Sequence, residues 1–451
     1  MSNFLRTMTA SQLGCVLDCN LQTGLTFAGG AATDNTAIIN AFLATASASN
    51  PIRLIMDGGT LSSGIQIAPG GHTIIEGLGW DTGFYQKSGA NADVINNIGA
   101  KYAFPFDPGP TAPTITASNV VLRNFFVNGN RGNGTTGNST SGNPLGVVGA
   151  FFFVGVNLVS ISNLRIEDVW LYDVSAYAMR LSNVAEVVVD GCRMESPSLG
   201  VSTDGVHLSG PASDVRVSNC YITSGDDAIA LNCPEGYSGN ISRVLVDNCD
   251  VANAGTFIRV YPTYGSNTNL IDTVLITNCY ANTANVGILV GNASGAGAAN
   301  CIGAVLLSNC KITTPVLANI SSSMGLFALN QVEFIPSGTP NGITITGGAT
   351  VTTFKVNGLT VPSGTVPFLV DAGTGCVLGA LLLDSFDSRN FTALVGSSGF
   401  TQVVAIGGSA VLTSGFAVPN TAMMNCSDFM SSTSSLPSIK IAGTVKTYTV
   451  S

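Results

Sequence analysis

Residues 187–310 decide the fold, because one pattern returns there five times: VVVDGC (187–192), VRVSNC (215–220), VLVDNC (244–249), VLITNC (274–279) and VLLSNC (305–310). The closing cysteines, Cys192, Cys220, Cys249, Cys279 and Cys310, are 28, 29, 30 and 31 residues apart. A period in the range of roughly 20–50 residues marks a repeat architecture. Each unit alternates apolar and polar positions, is rich in β-branched residues and is punctuated by Gly, Asn and Ser, so it reads as strand. A single strand cannot hide its apolar side, but stacked turns bury a continuous column. The expected fold is all-β, a right-handed parallel β-helix.

Composition agrees. Charged residues are 10% of the 451, and glycine is plentiful at 53 residues, which suits a solenoid whose bends are filled by small polar side chains. The net charge of −9 argues against nucleic acid or an anionic membrane as partner. The longest apolar run, Val147 to Val156, contains two glycines and falls short of the roughly 20 residues that span a bilayer. The opening MSNFLRTMTASQLGCVLDCN shows no signal-peptide pattern. A secreted or virion-associated, extracellular protein is expected.

The five repeated cysteines should stack on neighbouring strands about 4.8 Å apart with side chains parallel, which does not suit a disulfide torsion. They are read as reduced, buried hydrophobes, while Cys15 and Cys19 are left open as a pair. No metal-ligand spacing is present, so no metal and no cofactor is expected.

Along the chain, residues 1–50 read as an N-terminal cap. Asp34 and Asn35 cap a helix over 36–46, whose apolar side is Ile38, Ile39, Phe42 and Leu43. Rungs begin near Ile52, and the helical body with its groove runs over 51–390. Asn128 to Gly146 is too polar and glycine-rich for strand and is expected to be a long loop. Asn124, Asn163, Asn219, Asn248, Asn278 and Asn309, continued by Asn330, Asn357 and Asp384, are read as one bend repeated turn after turn. The tail, 391–451, is strand-like without the period and either closes the end or makes an oligomer contact.

A second strand series aligns 179–181, 206–208, 229–231, 258–260 and 288–290. Alternation sends the outer residues inward and the middle ones out, so Arg180, His207, Ala230, Arg259 and Leu289 should form one external row, joined by Tyr261. Three positions earlier lies the column Tyr177, Asp204, Asp227, Thr256 and Val286. Asp204 and Asp227 are thereby placed on adjacent rungs, with Asp226 at the bend.

The text around these carboxylates is STDGVHL (202–208) and SGDDAIAL (224–231). It resembles the polygalacturonase family of glycoside hydrolases, in which Asn-Thr-Asp-Gly and Gly-Asp-Asp-Cys-Ile-Ala motifs lie one β-helix turn apart. The resemblance implies an inverting hydrolase, with Asp226 as general acid and Asp204 and Asp227 as the groups that activate water. Independently of the family, inversion needs an acid on the leaving oxygen and a base holding water on the far side. Crowded carboxylates also retain a proton, as an acid must. The family's Gly-His-Gly and Arg-x-Lys motifs are missing; Asn253 to Phe257 and Gly287 to Gly291 stand in their places. His207, Arg259, Arg180, Tyr261 and Tyr177 are the expected substrate contacts. The expected partner is a polysaccharide that includes uronic acids or is pectin-like. Two other readings stand beside the hydrolase. One is a polysaccharide lyase using Arg259 as base; the other is a non-catalytic, tailspike-like adhesin, homotrimeric where the hydrolase would be a monomer.

Overall fold

The computed structural model describes residues 5–90, 92–97, 111–131, 154–195, 197, 202–235, 237–262, 269–291, 301–386, 389–396, 400–407, 438–441 and 444–447. The expected loop between Asn128 and Gly146 lies outside these residues beyond Arg131. The chain falls into two compact units, Met1–Val244 and Leu245–Ser451. Both are built of parallel strands, as a right-handed parallel β-helix requires.

In the first unit, Arg6–Thr9, Ile52–Met56, Gly71–Gly77, Ala117–Arg123, Val156–Glu167, Met179–Asp190, Val206–Ser218 and Asp227–Asn232 pair in succession, every pair parallel. A shorter series runs alongside, from Gly59–Ser62 through Gly83–Gln86, Phe126–Asn128, Trp170–Tyr172 and Arg193–Glu195 to Tyr221–Thr223. A parallel strand thus already precedes the helix, in Arg6–Thr9. Alternation fills the interior: Met179, Leu181, Val206, Leu208, Ile229 and Leu231 are fully buried in matching register. Each such side chain contributes about 1.5–3 kcal/mol relative to exposure.

The helix spans Thr36–Leu43, shorter than expected. Asp34 accepts hydrogen bonds from the Thr36 backbone N–H (3.1 Å) and hydroxyl (2.6 Å). The Asn40 amide donates to the Gly64 carbonyl at 2.9 Å, tying the helix to the coil. Ile39, Phe42 and Leu43 are buried, but Ile38 is 39% exposed. At 100° per residue Ile38 points off the stripe its three partners share.

In the second unit, Ile271–Thr277, Ile302–Ser308, Met324–Asn330, Thr350–Asn357, Cys376–Asp384 and Phe400–Gly407 form one parallel series. Asp250–Tyr261, Tyr280–Val290, Lys311–Ile320, Glu333–Ile345, Val366–Ala372 and Phe391–Val395 form another. Parallel pairing therefore continues past residue 390, and the hairpin Ser438–Ile441/Thr444–Thr447 is antiparallel.

The cysteines of the repeat are buried free thiols, as are Cys15 and Cys19. Each repeat cysteine follows a residue in the left-handed region: Gly191, Asn219, Asn248, Asn278 and Asn309. Asn and Gly tolerate that conformation where other residues are strained.

The single asparagine series is corrected in two places. Asn163 donates to the Asn119 side chain at 2.7 Å and, by register, belongs with Asn119, Glu186 and Asp214, a different corner. The bend beside Asn124 is carried instead by Asp168. In the second unit, Asn330 pairs with Ser308, Asn357 with Asn330 and Asp384 with Asn357, one residue before the bend on each turn. The left-handed positions there are Gln331, Gly358 and Ser385. The rung from Asn309 to the next left-handed residue, Gln331, is itself short at 22 residues, and the slip makes the asparagine interval one shorter still, 21.

Candidate active site

Two turns lace together where the first unit carries its carboxylates. The Gly205 N–H donates to the Asp227 carbonyl (3.1 Å) and the Ala178 N–H to the Asp204 carbonyl (2.8 Å), so Asp204 is held between neighbouring rungs. Gly205 is required by close approach: a Cβ there would lie 2.5 Å from the Ala228 carbonyl oxygen. The Ser224 hydroxyl donates to the Thr203 carbonyl at 2.7 Å and accepts from the Asp226 N–H at 3.0 Å. The Gly225 N–H donates to the Thr203 hydroxyl at 2.9 Å. Such hydroxyl bonds fix tight bends without regular secondary structure. They aim the two adjacent aspartates in different directions, and Asp226 accepts the Ser202 N–H at 2.9 Å.

The outcome is a carboxylate cluster. Asp204, Asp226 and Asp227 each bring one oxygen to within 4.8 Å of the others. Asp204 and Asp227 are 3% and 2% exposed, while Asp226 is half-buried and alone of the three meets solvent appreciably.

The expected external row is corrected. Its register is as read, Arg180 opposite His207 and His207 opposite Ala230, but Arg180 is 2% and His207 1% exposed. They leave the coil on the outer side and are then covered. Tyr177 stacks on the His207 ring at 4.0 Å and 15°. Glu235, from the turn after Asp227–Asn232, reaches back over the ring. Tyr177 is itself buried, so neither its ring nor the imidazole is open to a sugar.

His207 is clamped between acids. Its Nδ1 lies 2.6 Å from Asp204 Oδ2 and its Nε2 2.8 Å from Glu235 Oε2. Burial opposes its charge, but Glu235 and Asp204 outweigh that, and its pKa is raised to about 9. Burial pushes the Asp204 carboxyl above the usual aspartate range; the repulsion of Asp226 and Glu235 adds to this, and His207 partly offsets it. Burial likewise raises the Tyr177 hydroxyl, helped by Glu235 and Asp204.

The remaining expected contacts lie in the second unit. Arg259 is half-buried with its guanidinium 5.1 Å from the Tyr261 ring centre, and Tyr261 is 3% exposed, too covered to act as an open stacking platform. Glu235 was not anticipated. The available signal is an acid in a Pro-Glu-Gly turn eight residues after Asp227, in a chain with only 26 acidic residues. Ser202, Thr203 and Ser224, which shape the bend, were legible only as turn formers.

Among the described residues, Asp204, Asp226 and Asp227 are the group able to hold a cation. His207 lies against one of them, its Nδ1 in hydrogen-bond contact with Asp204 Oδ2.

The family described as "Right handed beta helix region" matches residues 149–358. No curated protein matches the sequence. Among solved structures, the chain is similar to a family 28 exopolygalacturonase of Yersinia enterocolitica, at 12% identity and TM-score 0.57, covering 90% of this chain and 79% of that one. It is similar to the surface adhesin PfbA of Streptococcus pneumoniae, at 13% identity and TM-score 0.54, over 98% of both chains. It is also similar to the A-module of a mannuronan C-5 epimerase of Azotobacter vinelandii, at 12% identity and TM-score 0.53, over 95% of this chain and all of that one. The chain has the right-handed parallel β-helix fold that these structures share. At such identities the likeness is one of fold, and function has to be argued from the site.

Proposed function

We propose that this protein is a glycoside hydrolase that cleaves a polysaccharide outside the cell, with Asp226 as general acid and Asp204 and Asp227 holding the attacking water. The observation that carries the reading is the three-carboxylate cluster within 4.8 Å, with its bend residue the one that meets solvent. Asp226 delivers a proton to the glycosidic oxygen as the bond to the anomeric carbon breaks. Water adds to that carbon and gives its proton to the carboxylate of Asp204 or Asp227. One oxygen-bound proton is consumed and one regenerated, so the cluster ends with its starting charge.

Nearest oxygens within 4.8 Å lie below the roughly 6.5–9.5 Å that separates the carboxyl groups of most inverting pairs. The expected water therefore sits beside the Asp204–Asp227 pair rather than midway between acid and base, and inversion is a result to be measured. A proton NMR time course of the first-formed product shows its anomer directly.

The burial of Asp204 and Asp227 favours a second reading, a non-catalytic glycan-binding protein; the adhesin among the structures of similar fold suits that role. One assay separates the two: wild type and Asp226→Asn are incubated with acidic and neutral polysaccharides, and new reducing ends and unsaturated-uronide absorbance are followed. Hydrolysis releases reducing ends without absorbance, and Asp226→Asn lowers that release by about 10³-fold. Binding with no release supports the adhesin, and absorbance supports the lyase.

A further inference from the structure

We propose that Glu235 and His207 form a positioning pair, in which Glu235 keeps His207 as a buried imidazolium and His207 serves as the built-in counter-cation of Asp204. The inference deepens the hydrolase reading and rests on it for its effect on activity. The protonation state itself can be observed without any activity.

The geometry is specific. Both ring nitrogens of a nearly inaccessible imidazole lie within 2.8 Å of carboxylate oxygens, Asp204 on one side and Glu235 on the other. A neutral imidazole has one N–H and one bare lone pair, so one of the two carboxylates would face a lone pair at contact distance. With both nitrogens protonated, each carboxylate faces positive charge, Asp204 through its hydrogen bond to Nδ1 and Glu235 as an ion pair at Nε2. The other groups around the ring do not change this. Tyr177 covers one face, Arg180 is its register neighbour on one strand and Ala230 on the other, and Asp226 and Asp227 lie beyond, beside Asp204. Among the described residues, Arg180 is the neighbouring cation that opposes the imidazolium, and the carboxylates of Glu235 and Asp204 favour it.

The arrangement answers a problem the cluster creates. Asp204 is buried among acids, and without a counter-charge it would hold a proton and could not take one from water. A histidine held between two carboxylates supplies that charge without presenting a cation to the substrate. His207 is thus a positioning residue acting through Asp204, and Glu235 acts through His207.

The test uses the full-length protein and its small number of histidines. The chain has two, so His72→Asn leaves a single imidazole; His72 has φ 52°, which asparagine tolerates. In that background, with side-chain nitrogens labelled, His207 should show two protonated nitrogens up to pH of about 9. Glu235→Gln should lower that midpoint by at least about one pH unit, since one opposite charge in contact typically shifts a pKa by about 1–3 units. Glu235→Asp should restore part of it. In turnover, the alkaline limb of kcat should move down by the same interval in Glu235→Gln, while the rate at pH 5 stays within about twofold. The sign follows from linkage: a proton held more tightly in the folded state stabilises fully below the reference value of 6.5, and that contribution is lost as pH rises through about 9.

A neutral His207 at pH 7 in the otherwise wild-type chain would overturn the proposal. So would a Glu235→Gln midpoint unchanged from the parent. A Glu235→Gln rate lowered equally at every pH would make Glu235 a substrate contact and overturn the positioning role. Should the chain cleave no glycan, the hydrolase reading falls, and the NMR midpoints still decide whether Glu235 holds the imidazolium.

Discussion

Two corners of the first unit use opposite chemistry to turn the chain. At the corner ending in Asn219 and Cys220, the chain turns on a left-handed asparagine. Its amide donates to the Asp190 carboxylate at 2.7 Å, and the following thiol is buried under the coil. One acid there is matched by neutral donors: the Ser218 hydroxyl also donates to Asp190, at 2.6 Å. At the corner of Asp204, Asp226 and Asp227, three acids converge with Glu235 nearby, and the compensating charge is a buried imidazole. The first corner is what a solenoid needs in order to repeat. The second adds nothing to repetition, and its concentration of charge in a chain that is 10% charged is the mark of a site.

The largest effect that would sharpen this contrast is at the acid. Asp226→Asn should lower turnover by about 10³-fold, within the 10²–10⁴ range of general acid catalysis, and leave thermal unfolding unchanged. A comparable loss from Asn219→Ala would erase the distinction between the corners. Gly205→Ala comes next: its methyl would press on the Ala228 carbonyl oxygen and the Ile222 side chain. Overpacking of this kind costs about 1–3 kcal/mol. Because it separates the rungs of Asp204 and Asp227, activity should fall more steeply than stability, as thermal melts beside initial rates would show. Asn219→Ala should cost about 1–2 kcal/mol in denaturant unfolding and leave rates untouched, whereas Asn219→Gly should be nearly neutral. The smallest effect expected is that of chelation. With EDTA the rate should stay within about twofold; a loss restored by calcium would assign the carboxylates to an ion.

The same contrast explains what could be read from the sequence. The Cys192-to-Cys310 spacing, the strand alternation and the adjacency of Asp204 to Asp227 all follow from period and alternation, and all stand in the structure. Backbone register carried Arg180 and His207 to the right row as well. What register cannot supply is the cover above that row, because Glu235 returns from an irregular turn whose path has no period. The asparagine series failed for a related reason: Asn330 and Asn357 have the right type and nearly the right spacing, yet a slip of one residue moves them off the bend. Charge chemistry was legible as a set of residues, and its burial was not.

The corner of Asp204, Asp226 and Asp227 is proposed to add water across a glycosidic bond. Depolymerisation in ¹⁸O-enriched water, followed by mass spectrometry of the fragments, tests it most directly. One ¹⁸O is expected at each new reducing end with wild type, and about 10³-fold less labelled product with Asp226→Asn. Unlabelled fragments, or equal labelling by the variant, would contradict it.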